Sequence, residues 1–175
     1  MAPRILSLPN LISLLRIPLA IVFLLYRDTT LRLVLIALAA ASDFLDGYLA
    51  RRRGRTRLGA ILDPVTDKTF LVTALISLAV NGPLRLTELL VLLARDIAVA
   101  LGFAIVVLRR APMQLSARFP GKLVTVLQLA ALVVLTAFPA WRMPVIIAVG
   151  LASVIAIGDY GSSAVRALRA REPGH

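Results

Sequence analysis

Six apolar runs, each near the length of a bilayer-crossing helix, divide this chain of 175 residues. A transmembrane helix needs about 20 apolar residues, and turn-forming Gly and Pro residues stand between several of the runs. The runs cover residues 11–26, 31–50, 58–80, 86–108, 123–138 and 143–165. A mean hydropathy of +0.90 exceeds what a soluble domain of this length needs. The pattern predicts an all-α, polytopic membrane protein with six transmembrane helices, forming a single membrane domain over residues 1–175.

Arginine and lysine residues are distributed unequally between the two sides of this arrangement. One side receives Arg4 and the basic clusters within 51–57, 109–122 and 166–171, whereas the other receives only Arg27, Arg32, Arg85 and Arg142. Loops rich in Lys and Arg stay cytoplasmic, so we expect both termini to be cytoplasmic. The formal charge of +11 then indicates contact with anionic lipid headgroups and phosphate-bearing substrates, not with nucleic acid.

The side chains available for chemistry are few in kind. The chain has no cysteine, and its one histidine is the last residue, His175. Disulfides, thiolate zinc sites and histidine-based catalytic triads are therefore excluded. Any catalysis must rest on carboxylates, Lys and Arg, hydroxyl groups and hard metal ions.

Four of the nine acidic residues fall within 25 positions of apolar sequence: Asp43, Asp46, Asp63 and Asp67. A carboxylate inside a membrane helix costs about 3 kcal/mol on insertion scales, which makes a functional role the default hypothesis. Spacings of three and four place each pair on one helix face. Because a short loop joins the second and third runs, the two helices must be antiparallel neighbours, and the two pairs meet at the same depth.

Converging carboxylates cannot all stay ionised without cations. All-oxygen ligation selects Mg²⁺, Mn²⁺ or Ca²⁺, and a pair of such ions is a recurring device for displacement at phosphorus. Structural ion pairing is one alternative, but too few cations share these helix faces to favour it. A cation transporter or channel is another, since intramembrane carboxylates also bind transported ions. Arg16, within the first run, either extends to the cytoplasmic face or has a functional role.

Small residues accompany the aspartates. Gly47 and Ala50 share the face of Asp43 and Asp46, and Gly59 precedes Asp63 by one helical turn. Missing side chains allow a flat, bulky group to approach the backbone closely. Arg51 follows at the membrane surface, where a phosphate could meet it.

The segments Asp43-x-x-Asp46-Gly47-x-x-Ala50-Arg51 and Gly59-x-x-x-Asp63-x-x-x-Asp67 together resemble the signature of the CDP-alcohol phosphotransferase (CDP-alcohol phosphatidyltransferase) family. One interval departs from it: seven residues separate Arg51 from Gly59, where a longer loop is usual. The resemblance implies a six-helix, homodimeric enzyme of the cytoplasmic membrane, with a polar cavity open to the cytoplasm. An enzyme of this kind would move a phosphatidyl group from CDP-diacylglycerol to an alcohol and release CMP.

The same resemblance implies roles for individual residues. All four aspartates would hold two metal ions, Mg²⁺ or Mn²⁺, and Asp67 would also be the base that takes the proton of the acceptor hydroxyl. The nucleotide site would consist of Asp46, Gly47, Ala50, Arg51 and Gly59.

Further sequence segments indicate which alcohol is the acceptor. Residues 9–16 and 63–68 resemble the phosphatidylglycerolphosphate synthase and cardiolipin synthase branch, which favours glycerol 3-phosphate as the acceptor. The alternative is a cardiolipin synthase that uses phosphatidylglycerol, because Ala94-Arg95-Asp96 is more typical of those enzymes. Candidates for acceptor binding are Arg95, Arg118 and Lys122.

Overall fold

The computed structural model describes residues 8–53, 57–108 and 119–169, with side chains at 10–49, 65–102, 104 and 123–159. Within these ranges the regular structure is helical and contains no strand, which confirms the predicted all-α class. A short 3-10 helix at Pro139–Trp141 precedes the last α-helix. The α-helices are α1 (Leu8–Leu14), α2 (Arg16–Leu25), α3 (Thr29–Arg53), α4 (Arg57–Asn81), α5 (Leu86–Leu108), α6 (Phe119–Ala137) and α7 (Arg142–Arg169).

Five of the six apolar runs correspond to single helices, α3 to α7. Local polar groups fix two of the starts. The Asp28 carboxylate accepts a hydrogen bond of 2.7 Å from the backbone N–H of Leu31 at the start of α3. The Glu88 carboxylate reaches back to the backbone N–H of Arg85 at 2.7 Å at the start of α5. Both contacts satisfy backbone donors that have no partner within the helix.

The sequence predicted one continuous helix over the first apolar run, and this prediction is wrong. The run forms two helices, α1 and α2. The break lies at Leu15, whose N–H is shared between the carbonyls of Leu11 at 3.1 Å and Ile12 at 3.2 Å. Pro18 has no N–H to donate to the carbonyl of Leu14, and a proline ring crowds the carbonyl four residues before it. The interruption places Arg16 at the first position of α2.

The chain divides into two compact units. The first holds α1 to α4 together with Leu132–Pro139, and the second holds Arg85–Ala131 and the residues from Ala140 onward. In the first unit α2 packs on α4, where the rings of Phe23 and Phe70 meet edge to face at 6.1 Å. In the second unit α5 packs on α7, and a Cβ added at Gly150 would lie 3.0 Å from the Val91 side chain. The prediction of one membrane domain stays a prediction.

One helix among the described residues is long and apolar enough to cross a membrane on its own. It covers Pro139–Asp159, 21 residues with a mean hydropathy of 2.0. Its large apolar side chains are mostly exposed, including Leu151, Val154 and Ile155. Exposed contiguous apolar surface suits a lipid environment. Shorter apolar helices cover Asn10–Leu25 and Leu123–Ala137. The six crossings and their orientation stay predictions.

The buried side chain of Arg32 connects the C-terminal end of α2 to α4 in the first unit. Arg32 is 4% exposed. It donates to the carbonyl oxygens of Tyr26 at 2.9 Å and Phe23 at 3.5 Å, and to Ser77 Oγ on α4 at 2.9 Å. Its guanidinium carbon also lies 4.9 Å from the centre of the Phe23 ring. Arg32 therefore supplies hydrogen-bond donors to carbonyls at the end of α2, where the helix itself leaves them without one, and the Phe23 carbonyl also accepts from Ser77 Oγ at 3.5 Å.

We expect Arg32→Met to lower the free energy of unfolding by about 1–3 kcal/mol, because buried acceptors lose their donor. Thermal unfolding of the detergent-solubilised protein measures the change. Arg27→Ala is the control, since Arg27 makes an exposed hydrogen bond to Asn81 and its loss should change stability by no more than about 0.5 kcal/mol. Equal losses in the two variants would contradict this role of Arg32.

Candidate active site

The guanidinium of Arg16 lies among three carboxylates in the first unit. Its Nη2 is 2.6 Å from Asp46 Oδ2 and 3.3 Å from Asp43 Oδ1, and its Nη1 forms an ion pair with Asp67. Arg16 comes from α2, Asp43 and Asp46 from α3, and Asp67 from α4. The Arg16 side chain is only 1% exposed. One buried cation thus connects three helices through their acidic side chains.

Hydroxyl groups complete the surroundings of this guanidinium. Arg16 Nε donates to Ser42 Oγ at 2.9 Å, and Nη1 donates to Thr66 Oγ1 at 3.4 Å. Ser13 Oγ, on α1, donates to Asp46 Oδ2 at 2.8 Å. Ser13, Ser42 and Thr66 are all buried. A buried charge is tolerated only when its hydrogen-bonding groups find partners, and these hydroxyls provide them.

The three carboxylates differ in their access to the surroundings. The side chain of Asp46 is 3% exposed, whereas those of Asp43 and Asp67 are 60% and 38% exposed. Asp46 therefore belongs to the interior of the unit, and the two outer carboxylates form an acidic surface that a cation or a hydroxyl group can reach.

The structure brings together Asp43, Asp46 and Asp67, three of the four aspartates selected from the sequence. Asp63 lies on α4, and its side chain is outside the described residues. The sequence led us to expect too few cations near the aspartates for structural ion pairing. That expectation is wrong for these three side chains, because Arg16 on α2 pairs with all of them. The cytoplasmic-facing alternative for Arg16 is wrong as well, since its side chain is buried.

Of the predicted nucleotide-site residues, the structure describes the surroundings of Asp46 and Gly47. Gly47 is half-buried and directly follows Asp46 on α3. Ala50 and Arg51 belong to α3 and Gly59 to α4, and the structure describes only their backbone. Their assignment to nucleotide binding stays a prediction.

Of the three predicted acceptor-binding residues, the structure describes the side chain of Arg95 alone. In the second unit, Arg95 Nη1 pairs with Asp96 Oδ1 at 2.9 Å. Gln128 Nε2 donates to Asp96 Oδ2 at 2.8 Å and to the Leu92 carbonyl at 2.6 Å. Lys122 lies on α6 with its side chain outside the described part, and Arg118 lies outside the described residues.

The donor chemistry of the carboxylate cluster fits hard divalent ions. Carboxylate and hydroxyl oxygens are the donors there, as Mg²⁺ and Mn²⁺ prefer. In the ion-paired cluster of Arg16 with Asp43, Asp46 and Asp67, three carboxylates outnumber one guanidinium. However, no three acidic side chains in the described part of the chain are arranged to hold an ion as they stand.

A family model described as CDP-alcohol phosphatidyltransferase matches residues 6–157, which include α1 to α6 and the whole acidic cluster. The chain belongs to the CDP-alcohol phosphatidyltransferase family. Members of this family are membrane-embedded, function in phospholipid synthesis and generally depend on divalent metal ions. The resemblance inferred from the spacing of the aspartates and glycines is thereby confirmed.

Individual relatives divide between two names. The CDP-diacylglycerol--glycerol-3-phosphate 3-phosphatidyltransferase of Aquifex aeolicus is 39% identical over 59% of this chain and 62% of its own length. The probable phosphatidylglycerophosphate synthase of Mycobacterium tuberculosis is 35% identical over 74% of this chain and 65% of its own length. A cardiolipin synthase (CMP-forming) of Streptomyces coelicolor is 36% identical over 53% of this chain and 48% of its own length. The chain thus spans about half to two thirds of the length of these three relatives.

The contrast in burial predicts different effects of two isosteric substitutions. Asp46→Asn removes the buried charge that accepts from Arg16 and Ser13, and we expect it to lower the metal-free unfolding free energy by about 1.5–3 kcal/mol. Asp43→Asn alters a mostly exposed ion pair, which is worth at most about 1 kcal/mol. Thermal unfolding in EDTA compares them. A larger loss for Asp43→Asn would mean that the inner and outer carboxylates are assigned the wrong way round.

Proposed function

We propose that this protein transfers the phosphatidyl group of CDP-diacylglycerol to a glycerol-type acceptor, glycerol 3-phosphate, and releases CMP. The observation that carries the proposal is the convergence of Asp43, Asp46 and Asp67 from α3 and α4, inside a chain that belongs to this family. Family membership leaves the cation-transporter alternative without support.

The reaction is a displacement at phosphorus. The acceptor hydroxyl oxygen bonds to the phosphorus that carries the diacylglycerol, and the bond from that phosphorus to the CMP oxygen breaks. CMP leaves with the bonding electron pair, and the hydroxyl proton passes to the Asp67 carboxylate. Asp67 suits the role of base because its side chain is 38% exposed. A base must lie within hydrogen-bond reach of its proton, and a buried carboxylate such as Asp46 offers no such access.

The four aspartates Asp43, Asp46, Asp63 and Asp67 would hold two Mg²⁺ or Mn²⁺ ions. When bound, such ions neutralise the pyrophosphate oxygens and make the phosphorus more electrophilic. In the metal-free protein, Arg16 and Ser13 limit the rotation of the Asp46 carboxylate, and Thr66 accepts a hydrogen bond from Arg16. The assignment of Gly47, Ala50, Arg51 and Gly59 to the CDP moiety rests on their spacing beside the aspartates.

The choice of glycerol 3-phosphate is supported by the N-terminal segment that resembles this branch of the family. Its polar members Asn10, Ser13 and Arg16 are buried in the first unit, and two of them contact Asp46. Relatives in Aquifex aeolicus and Pseudomonas fluorescens carry the corresponding enzyme name. Arg95, Arg118 and Lys122 are proposed to bind the acceptor phosphate, since charge-assisted hydrogen bonds suit that dianion.

Cardiolipin synthesis from phosphatidylglycerol is the second candidate. The segment Ala94-Arg95-Asp96 favours it, as does the similarity to a Streptomyces coelicolor cardiolipin synthase. This acceptor is itself a lipid and carries a diester phosphate with one negative charge, so it would enter from the bilayer. The chemistry at Asp67 is the same for both acceptors.

The enzyme is further proposed to be a homodimer in the cytoplasmic membrane. Six helices would cross the bilayer, with both termini and the active site on the cytoplasmic side. The homodimer rests on the family resemblance alone. The orientation is supported by the charge asymmetry, since the basic clusters at 51–57, 109–122 and 166–171 fall on one side of the six-helix arrangement.

Release of CMP by the purified protein is the decisive test of the reaction. CDP-diacylglycerol is supplied with glycerol 3-phosphate or phosphatidylglycerol, and the lipid product is identified by mass spectrometry. We expect phosphatidylglycerol phosphate as the product, loss of activity in EDTA and its return with Mn²⁺ or Mg²⁺. Cardiolipin formation with glycerol 3-phosphate inert would reverse the choice of acceptor. Full activity in the metal-free preparation would contradict the two-metal assignment.

Replacement of the proposed base separates chemistry from binding. Asp67→Asn preserves size but removes basicity, so we expect kcat to fall at least a hundredfold, the usual contribution of a general base being about 10²–10⁴. Some binding of CDP-diacylglycerol should remain. Asp28→Asn is the matched control, because Asp28 only caps α3 and asparagine caps helices equally well. Near-normal turnover by Asp67→Asn would assign proton transfer to a different group.

A further inference from the structure

Arg16 already uses carboxylate oxygens that divalent ions would need. Asp46 Oδ2 accepts from Arg16 at 2.6 Å and from Ser13 at 2.8 Å. A carboxylate oxygen offers about two lone pairs, so both lone pairs of this oxygen are engaged. Arg16 also pairs with Asp43 Oδ1 at 3.3 Å and with Asp67. A metal ion and this guanidinium therefore compete for the same ligands.

Electrostatics favours exchange of the two cations over sharing. Without a cation, the three carboxylates repel one another across a partly buried site. With both cations in place, a divalent ion and a guanidinium would stand a few ångströms apart, where like charges repel strongly at the low effective dielectric of a protein. Two divalent ions balance the charge of the four aspartates without the guanidinium, so the fully loaded site has the lower energy when Arg16 has moved away.

Arg16 also has partners that do not depend on the carboxylates. Its Nε bonds Ser42 at 2.9 Å and its Nη1 bonds Thr66 at 3.4 Å. A guanidinium that gives up the carboxylates therefore keeps hydroxyl partners on α3 and α4, and a small movement is sufficient. Buried charge without any partner would make the exchange prohibitive.

We propose that Arg16 is the internal counter-ion of the metal-free site. Its guanidinium holds Asp43, Asp46 and Asp67 together until divalent ions load, and loading displaces it from these carboxylates. The inference rests on the proposed function, because it takes these aspartates as metal ligands. It makes Arg16 a positioning residue that stabilises the metal-free protein and lowers its apparent metal affinity.

The test compares Mn²⁺ binding by wild type, Arg16→Gln and Arg32→Gln, each purified at full length in detergent and stripped with EDTA. Electron paramagnetic resonance of free Mn²⁺ gives the affinity, and thermal unfolding with and without Mn²⁺ gives the stability. Arg32 is the matched control because it is a buried arginine of the same unit, 4% exposed, whose described partners are two carbonyls, Ser77 and the Phe23 ring.

Arg16→Gln should lower the metal-free Tm but bind Mn²⁺ at least tenfold more tightly, since no charge-assisted hydrogen bonds must be given up. Mn²⁺ should also raise its Tm by more than it raises that of wild type. Arg32→Gln should lower the Tm with no change in Mn²⁺ affinity. Unchanged or weaker Mn²⁺ binding by Arg16→Gln would overturn the proposal.

Two further outcomes keep the test decisive. If Arg16→Gln does not fold, Arg16→Lys replaces it: the ammonium keeps the charge but lacks the fork that reaches three carboxylates. Arg16→Lys should then bind Mn²⁺ more tightly than wild type, and equal or weaker binding would overturn the inference. Absence of Mn²⁺ binding by wild type would overturn the metal assignment in the proposed function, whereas wild-type binding without tightening in the variants would overturn the role of Arg16 alone.

Discussion

The ion-pair cluster around Arg16 is the interaction on which the first unit and its proposed chemistry both depend. Arg16 joins α2 to α3 and α4 through one guanidinium, and Ser13 adds α1 through Asp46. A buried ion pair is weak evidence for net stability, because desolvation offsets much of its Coulomb energy. What the cluster determines is the relative position of the helices. A change in the register of any of them would leave a charge buried without its partner.

A second arginine acts differently within the same unit. Arg32 donates to backbone carbonyls and to Ser77, so it satisfies groups that the end of α2 leaves open. Arg16 instead binds ionisable side chains, two of which are partly exposed. The contrast separates an arginine that completes a fold from one that belongs to a site. From the sequence alone, Arg32 entered only the charge asymmetry, whereas Arg16 was left between a cytoplasmic-facing position and a functional role.

The helices could be predicted because apolar run length and turn residues are local properties. Asp28 and the Asn81-Gly82-Pro83 segment, for example, mark boundaries that the structure shows. The break at Leu15 was missed, although Pro18 was a visible signal for it. The carboxylates could be selected because charge is rare in apolar helices. Their partner Arg16 could not be identified in this way. It lies 27 to 51 positions away in the sequence, and an ion pair between such distant residues leaves no local sequence pattern. A polar stripe of Asn10, Ser13 and Arg16 in an apolar run was the available clue.

The position of Arg16 in the chain also constrains the order of biosynthesis. Synthesis proceeds from the N-terminus, so the first apolar segment is complete before Asp43, Asp46 and Asp67 have been translated. An arginine near the middle of an isolated membrane helix carries a cost of about 3 kcal/mol on insertion scales. That cost is relieved only when α3 and α4 arrive with their carboxylates. In the predicted six-crossing arrangement, the first segment would therefore remain beside the insertion machinery, or at the water interface, until α4 has been made.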